Sequence, residues 1–220
     1  MTVKPVDLRG LLEPALATLD LTQAAVAWEP LATLAGLWLH YGRSMNLSGA
    51  QDAAGIAAHV AEGLLVVALG RSLGVVEGDS WLDVGSGAGF PGLVVASQLP
   101  VTITMVEPRD RRAGFLELAL GALGRRGRVL RGRLEGSEWR PDPRERGVLE
   151  PGFRFAGARA LFPPAQWLEV GARWVRPDGY VLLHVRPGVS DLLGVKTSGR
   201  LDSDQWSVRA VRGADVPRGT

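Results

Sequence analysis

Trp81-Leu82-Asp83-Val84-Gly85-Ser86-Gly87-Ala88-Gly89-Phe90-Pro91-Gly92 is the stretch that decides the fold. An apolar run enters a glycine turn, and the turn enters a segment of helical character. An α/β protein presents backbone N–H groups to a nucleotide-like ligand in this way. Gly85 and Gly87 permit the tight turn. A missing side chain at Gly87 or Gly89 lets a ligand lie against bare backbone. The next apolar run, 101–106, ends at Glu107, 22 positions after Gly85. An acid about 20 residues on is placed to accept from ribose hydroxyls.

The glycine spacing separates candidate ligands. A dinucleotide fingerprint reads G-x-G-x-x-G, whereas this chain reads Gly85-x-Gly87-x-Gly89-x-x-Gly92. An acid at Asp83 followed by G-x-G-x-G suits S-adenosylmethionine. That cofactor carries an ammonium at its amino-acid end and a ribose that needs an acceptor. Asp83, Gly85, Ser86, Gly87, Gly89, Phe90 and Glu107 are therefore the candidate cofactor residues. A nicotinamide-dependent oxidoreductase is the alternative that Asp83 and the Pro91-Gly92 ending argue against. An α/β turn with no ligand is the other.

A length of 220 residues and an apolar fraction of 46% suit one globular domain with a small extension. Residues 1–78 read as an N-terminal helical region and 79–220 as the cofactor-binding domain. No unbroken apolar stretch approaches the roughly 18 residues of a membrane span, and the start lacks the pattern of a signal peptide. There are no cysteines. That excludes disulfides, a thiol nucleophile and cysteine metal sites, and fits a cytoplasmic protein. Net charge is only +2, but residues 109–159 hold thirteen arginines against seven acids. A basic stripe beside a cofactor site suggests a polyanionic substrate. For Arg125, Arg126 and Arg128 a solvated face explains the charge equally well.

In chain order, 6–43 reads as helices by the spacing of Leu8, Leu12, Leu16 and of Trp28, Leu31, Leu34, Trp38. Residues 41–49 read as a loop. A helix over about 52–69 carries His59 and Glu62 three apart, on one face. His59 is either a packed or a functional histidine. Strands are expected at 80–84, 101–106, 128–131, 153–157 and 179–185, with helices at 90–98, 109–123 and 164–175. Alternation of this kind predicts a parallel sheet covered by helices. Residues 140–146 read as a mobile charged loop and 205–211 as a last strand. Residues 213–220 carry too much Gly and Pro to order themselves. Most tryptophans fall at core spacing; Trp139, in the arginine-rich stretch, is the candidate for base stacking.

The motif at 82–92 resembles the first motif of the bacterial small-subunit ribosomal RNA guanine-N7 methyltransferases, also called glucose-inhibited division protein B. The Pro91-Gly92 ending sets it apart from methyltransferases in general. Asn46-Leu47-Ser48 resembles the family's Asn-Leu-Thr/Ser loop, and His59 its helical histidine. Arg111-Arg112-Ala113-Gly114-Phe115-Leu116 is similar to its Lys-Arg-x-x-Phe-Leu helix. Arg133-Leu134-Glu135 is similar to its Arg-x-Glu turn, and Arg159-Ala160 to its Ser-Arg-Ala. The resemblance implies a class I S-adenosylmethionine-dependent methyltransferase: a Rossmann-like, mostly parallel seven-stranded sheet behind an N-terminal helical extension. It implies that Gly85 and Phe90 line the methionine end, that Glu107 holds the ribose, and that Leu134 and Glu135 meet the adenine. Arg133 and Arg159 would face the substrate as the catalytic-site pair, with Arg159 also near the cofactor. The partner would be small-subunit ribosomal RNA or a 30S-type particle, acted on by a monomer, with no metal and no membrane.

Three positions depart from the family. Arg154 replaces an aspartate, Ala158 replaces the serine before Arg159, and the lysine after the fifth strand falls on Val185, with Arg186 next. All three are expected on the substrate side. They leave room for a paralogue that binds S-adenosylmethionine or RNA without catalysis. The chemistry needs few groups: guanine N7 is a lone pair, so no proton must leave before attack, and alignment matters more than a general base. The methylated purine is cationic, so an arginine belongs on O6 or a phosphate rather than on N7. The alternative for Arg159 is an ion pair with Asp83 or Glu135. Leu161-Phe162-Pro163-Pro164-Ala165 lacks the polar and stacking groups that an amino-methylating Asn/Asp-Pro-Pro-aromatic motif needs.

Overall fold

The computed structural model describes residues 8–18, 26–45, 47, 52–188 and 194–216. Three helices come first: α1 (Leu8–Thr18), α2 (Trp28–Met45) and α3 (Ala53–Ser72). Asp52 caps α3, its carboxylate accepting from the Gly55 N–H at 2.8 Å. The alternating part begins with β1 (Ser80–Val84), α4 (Gly92–Gln98), β2 (Thr102–Val106), α5 (Asp110–Leu123) and β3 (Gly127–Leu130). After a hairpin of β4 (Gly132–Glu135) and β5 (Glu138–Pro141) come β6 (Phe153–Ala158), α6 (Pro164–Ala172) and β7 (Val175–Val185). Two short strands, β8 (Gly199–Asp202) and β9 (Ser207–Arg212), finish the sheet.

The seven-stranded sheet has the order β3-β2-β1-β6-β7-β9-β8. Its first five strands are parallel, and β9 runs antiparallel to β7 and β8. The order reverses between β1 and β6, and the crevice outside their carboxyl ends is where such sheets bind ligands. Alternate residues feed two cores. Trp81, Ile103, Met105, Phe155, Leu182 and Val208 pack with α1–α5, while Leu82, Val84, Val106, Ala156, Val181 and Val211 pack with α6 and the hairpin. The first core runs unbroken from Leu8 and Leu12 to Val208 and Ala210, so the N-terminal helices share it with the sheet.

Helix α3 has a mean hydropathy of 1.7 over an 18-residue window, long and apolar enough by composition to cross a membrane. Here it is wrapped by α1, α2, α4, β8 and β9. Residues 132–141, expected as turn and loop, form the hairpin instead. Its strands alternate charged and apolar positions for only four residues each, too short a period to read. The following loop is pinned rather than mobile: Glu145 accepts from the N–H groups of Arg131 (2.7 Å) and Gly147 (2.6 Å), and Arg144 reaches Asp110 at 2.7 Å. Trp139 lies across the hairpin from Leu134 and against Gly132, as part of the second core's edge rather than as an open stacking ring. Helix α6 stops at Ala172, and the chain closes it with i to i−3 bonds from the Arg173 and Trp174 N–H groups to the Val170 and Gly171 carbonyls before β7 begins. Gly213–Asp215 is a 3-10 turn against Val175 and Arg176, so the tail is ordered further than expected. Asn46 and Ser48 of the resemblance lie outside the described residues; Leu47 between them is buried.

Arg154 is not on the substrate side. It is the second residue of β6, whereas Arg159 follows that strand's end, about 17 Å away at strand spacing. Its guanidinium stacks over Phe155 and Tyr180, at 5.5 and 4.9 Å, and bonds the Asp178 carbonyl and carboxylate. Restoring an acid by Arg154→Asp sets two carboxylates together and removes the stacking. Urea denaturation should show the variant about 1–2 kcal/mol less stable.

Candidate active site

Strand β1 ends at Val84, and the chain turns at once. Gly85, Gly87 and Gly89 have φ of 72°, 57° and 91°, a left-handed backbone that only glycine adopts without strain. The Val106 carbonyl accepts from the N–H groups of Gly85 (2.9 Å) and Ser86 (3.1 Å), which ties the loop to β2. The Ser86 hydroxyl donates back to the Asp83 carbonyl at 2.9 Å. Glu107 holds the loop from the other side. One of its oxygens accepts from the Gly87 N–H at 2.9 Å and the other from the Arg109 N–H at 3.0 Å. Two of the carboxylate's roughly four acceptor positions remain.

Whether this loop suits S-adenosylmethionine can be tested on its shape and donors. A Cβ at Gly87 would meet nothing nearer than the Gly85 carbonyl at 3.8 Å and Arg112 Nη1 at 3.9 Å, so bare backbone faces open space. A cleft of about 370 Å³ lined by Met45, Arg109, Asp110, Arg111 and Arg112 opens beside it. Asp83 lies beneath the loop, and its Oδ2 has no hydrogen-bond partner among the described residues. Burial pushes the Asp83 carboxyl up to about 6, against the pull of the Ser86 hydroxyl, His184 and Arg159. Open backbone, spare acceptors and an unpaired acid fit a cofactor that carries hydroxyls and an ammonium. Phe90 is enclosed, stacked on Trp38 at 4.2 Å and near His59 at 4.8 Å. The Trp38 indole N–H donates to the Ala88 carbonyl at 2.8 Å, so α2 braces the loop.

Arg159 follows β6 and turns back to α3. Its Nε donates to Glu62 Oε1 at 2.8 Å, and its Nη2 lies 2.6 Å from Glu62 Oε2. The partner is thus Glu62, neither Asp83 nor Glu135, because the fold lays α3 across the β6 end. Nη2 also donates to His59 Nδ1 at 3.1 Å, and His184 Nδ1 donates to Glu62 Oε1 at 3.1 Å. Burial pushes the Glu62 carboxyl up, but hydrogen bonds from His184 and Arg159 outweigh it and hold the group below its ordinary value. Burial pushes the His59 ring down, and Arg159 adds to that against Glu62. His59 is then neutral at pH 7, with its proton on Nε2. Ala160 has φ of 54°, a strained value for a side-chain-bearing residue, and Leu161 lies against Gly85, so this loop borders the glycine turn.

Arg133, Leu134 and Glu135 lie on β4. Leu134 is buried in the second core, and Arg133 donates to Glu135 at 2.7 Å. Arg133 is therefore paired within the hairpin, not with the Arg159 cluster. Much of the basic stripe is compensated likewise: Arg131 by Glu117 and Asp110, Arg140 by Glu135 and Glu138, Arg144 by Asp110 and Asp142. Ala158 lines a small cavity of about 80 Å³ with Phe162, Leu183, His184 and Trp206. Val185 points into the second core. Arg186, one place on, lies over Trp206 at 5.2 Å, where Arg159 also lies at 5.5 Å. Sequence reasoning placed Glu62 beside His59 but gave it no partner, and it missed His184 and Trp206 altogether. No short-range pattern marks those two. Among the described residues no group of three or more His, Asp or Glu residues is arranged to hold a metal.

Over residues 29–185 the sequence matches the family described as rRNA small subunit methyltransferase G. A protein of that name from Paracoccus denitrificans is 34% identical over 69% of this chain and 72% of its own. One from Anaeromyxobacter sp. is 30% identical over 76% and 74%. A shorter stretch, 27% of each chain, is 49% identical to the Zymomonas mobilis protein. The chain thus spans 27% to 74% of the length of these relatives. Among solved structures, a putative class I S-adenosylmethionine-dependent methyltransferase from Listeria monocytogenes superposes with a TM-score of 0.57. It covers 88% of this chain and 72% of that one at 14% identity, a likeness of fold alone: the class I methyltransferase fold.

Asp83 has a readable pH signature. Between pH 4 and 6 the unfolded carboxyl has lost its proton while the folded one keeps it. Its contribution to stability is whole below about 4 and is lost as pH rises through 6, up to about 3 kcal/mol. Asp83→Asn removes that loss. Denaturation at pH 4, 5 and 7 should show the variant gaining on the wild type as pH rises.

Proposed function

The chain belongs to the rRNA small subunit methyltransferase G family, and from that premise we propose that it transfers a methyl group from S-adenosylmethionine to guanine N7 of small-subunit ribosomal RNA. The observation that carries the assignment of roles is the Glu62–Arg159 pair beside the glycine loop. It fixes one guanidinium at the end of β6, next to the turn that suits the cofactor. Bound S-adenosylmethionine supplies an electrophilic methyl group on a sulfonium. Asp83, Gly85, Ser86, Gly87, Gly89 and Phe90 form or support the surface for its amino-acid end. Glu107 takes the ribose, and Leu134 with Glu135 the adenine side.

The remaining work is alignment. N7 needs no base, and none stands ready: His59 accepts from Arg159, and His184 is committed to Glu62. Nε and both N–H groups of Nη2 hold Arg159 in place, and its Nη1 makes no hydrogen bond among the described residues. That free edge is suited to guanine O6 or a phosphate, where a positive charge does not oppose the cationic product. Arg133 serves as a second anchor on the hairpin. The position of Arg154 at the far end of β6 weakens the case for an inactive paralogue, since that departure touches no site residue. We assign the reaction to the cytoplasm, on RNA or a 30S-type particle, by a monomer that needs neither metal nor membrane.

Two measurements test this. Calorimetric titration should show micromolar binding of S-adenosylmethionine and none of NAD. Arg159→Lys keeps a charge beside Glu62 but loses the planar fork. It should lower labelled methyl transfer to small-subunit RNA at least tenfold, about 1.4 kcal/mol, with cofactor affinity within about threefold. Full activity in that variant would refute the role of Arg159.

A further inference from the structure

We propose that Trp206 is a positioning residue for RNA: its indole face holds Arg159 and Arg186 together as a two-arginine clamp on the phosphodiester backbone. The inference rests on the RNA-methyltransferase function above and names the part of the strand that this end of the site takes.

Trp206 sits on the turn from β8 to β9, and its backbone is fixed there. The Ser203 N–H donates to the Trp206 carbonyl at 2.7 Å, and the Trp206 N–H donates to the Ser203 hydroxyl at 3.1 Å. The half-buried ring packs against the first core. Arg159 Cζ lies 5.5 Å and Arg186 Cζ 5.2 Å from the ring centroid, so no more than the two distances together separates the guanidinium carbons. Two cations this close repel. A carboxylate between them would cancel their charge and consume their donors. An aromatic face attracts both cations through its quadrupole and takes no N–H.

The donors are accordingly available. Arg186 is exposed and makes no hydrogen bond or ion pair among the described residues. Arg159 keeps Nη1, as described above. Glu62 is spent on Arg159 and His184, and Asp202, the acid that ends β8, is paired with Arg200. Glu62 answers the charge of Arg159, so the surplus charge is that of Arg186, and the N–H edges left on both guanidiniums match phosphate oxygens. Trp206 lines a cavity of about 80 Å³ with Ala158 and His184 and one of about 330 Å³ with Ala58 and Glu62, and we assign its ring to the two guanidiniums.

The test uses Trp206→Ala, Trp206→Phe, Arg186→Ala and the double variant Trp206→Ala/Arg186→Ala. Binding of small-subunit RNA is measured by filter retention across a salt series without cofactor, and methyl transfer is measured separately. Trp206→Ala should weaken RNA binding and raise the RNA KM about tenfold, with kcat and cofactor affinity within about twofold. Trp206→Phe should restore most of the loss, because a ring face remains. Arg186→Ala should lower the salt slope by about 0.7 to 0.9, one phosphate contact. The double variant should lose little more than either single one, since the residues act as a unit.

An unchanged RNA KM in Trp206→Ala, a fully additive double variant, or a loss that phenylalanine does not repair would overturn the clamp. Arg186 is exposed, so Arg186→Ala decides the matter even where Trp206→Ala folds poorly: unchanged affinity and salt slope refute the proposal. Wild-type protein that binds RNA with the expected coupling but transfers no methyl group would refute the methyltransferase function and leave the clamp standing. Wild-type protein that binds no RNA would refute the clamp.

Discussion

A carboxylate buried between a helix and a sheet is costly unless every lone pair that matters is answered. Glu62 is answered three times, by Nε and Nη2 of Arg159 and by Nδ1 of His184. Those donors come from the ends of β6 and β7, and the acceptor comes from α3. One ion pair therefore locks the N-terminal helices to the carboxyl edge of the sheet. Without it α3 would leave a bare charge in the core and Arg159 would have no fixed direction. The helical region is in this sense a wall of the site: Trp38 braces the glycine loop, and His59 closes over Phe90.

The arginine-rich stretch takes on a different meaning once its partners are known. Around the hairpin, Arg131 and Arg144 face carboxylates of α5, and Arg133 and Arg140 face those of the hairpin itself. Exposed pairs of this kind add little stability, but they occupy donors and set side-chain directions. Among the described residues, the arginines without an acidic partner include Arg186 over Trp206, and Arg109 and Arg111 around the cleft they share with Met45.

The apolar entry into Gly85-x-Gly87-x-Gly89 made β1, the turn and the parallel sheet legible, because each of those signals is local. Glu107 was legible by its distance from the loop. His59 and Glu62 were legible as neighbours by helical spacing, yet the meeting with Arg159 was not, since it joins residues from opposite ends of the fold. His184 looked like any strand residue, and Trp206 lay in a tail whose short strands alternate too briefly to show a period. The hairpin failed for the same reason, with only Leu134 and Trp139 facing inward. Arg154 was expected on the substrate side although it stands at the amino end of its strand, and ligands bind outside the carboxyl ends.

Helix α3 joins the chain early, yet β8 and β9, which cover part of its apolar surface, are the last strands made. On the ribosome that surface stays open through the synthesis of the whole sheet. Helices α1, α2 and α4 cover the rest of α3 earlier, so the face left for β8 and β9 is a natural station for a hydrophobic-binding chaperone. Truncations that stop before β8 should therefore clump rather than merely lose activity, and the closing strands act as a seal as much as a scaffold.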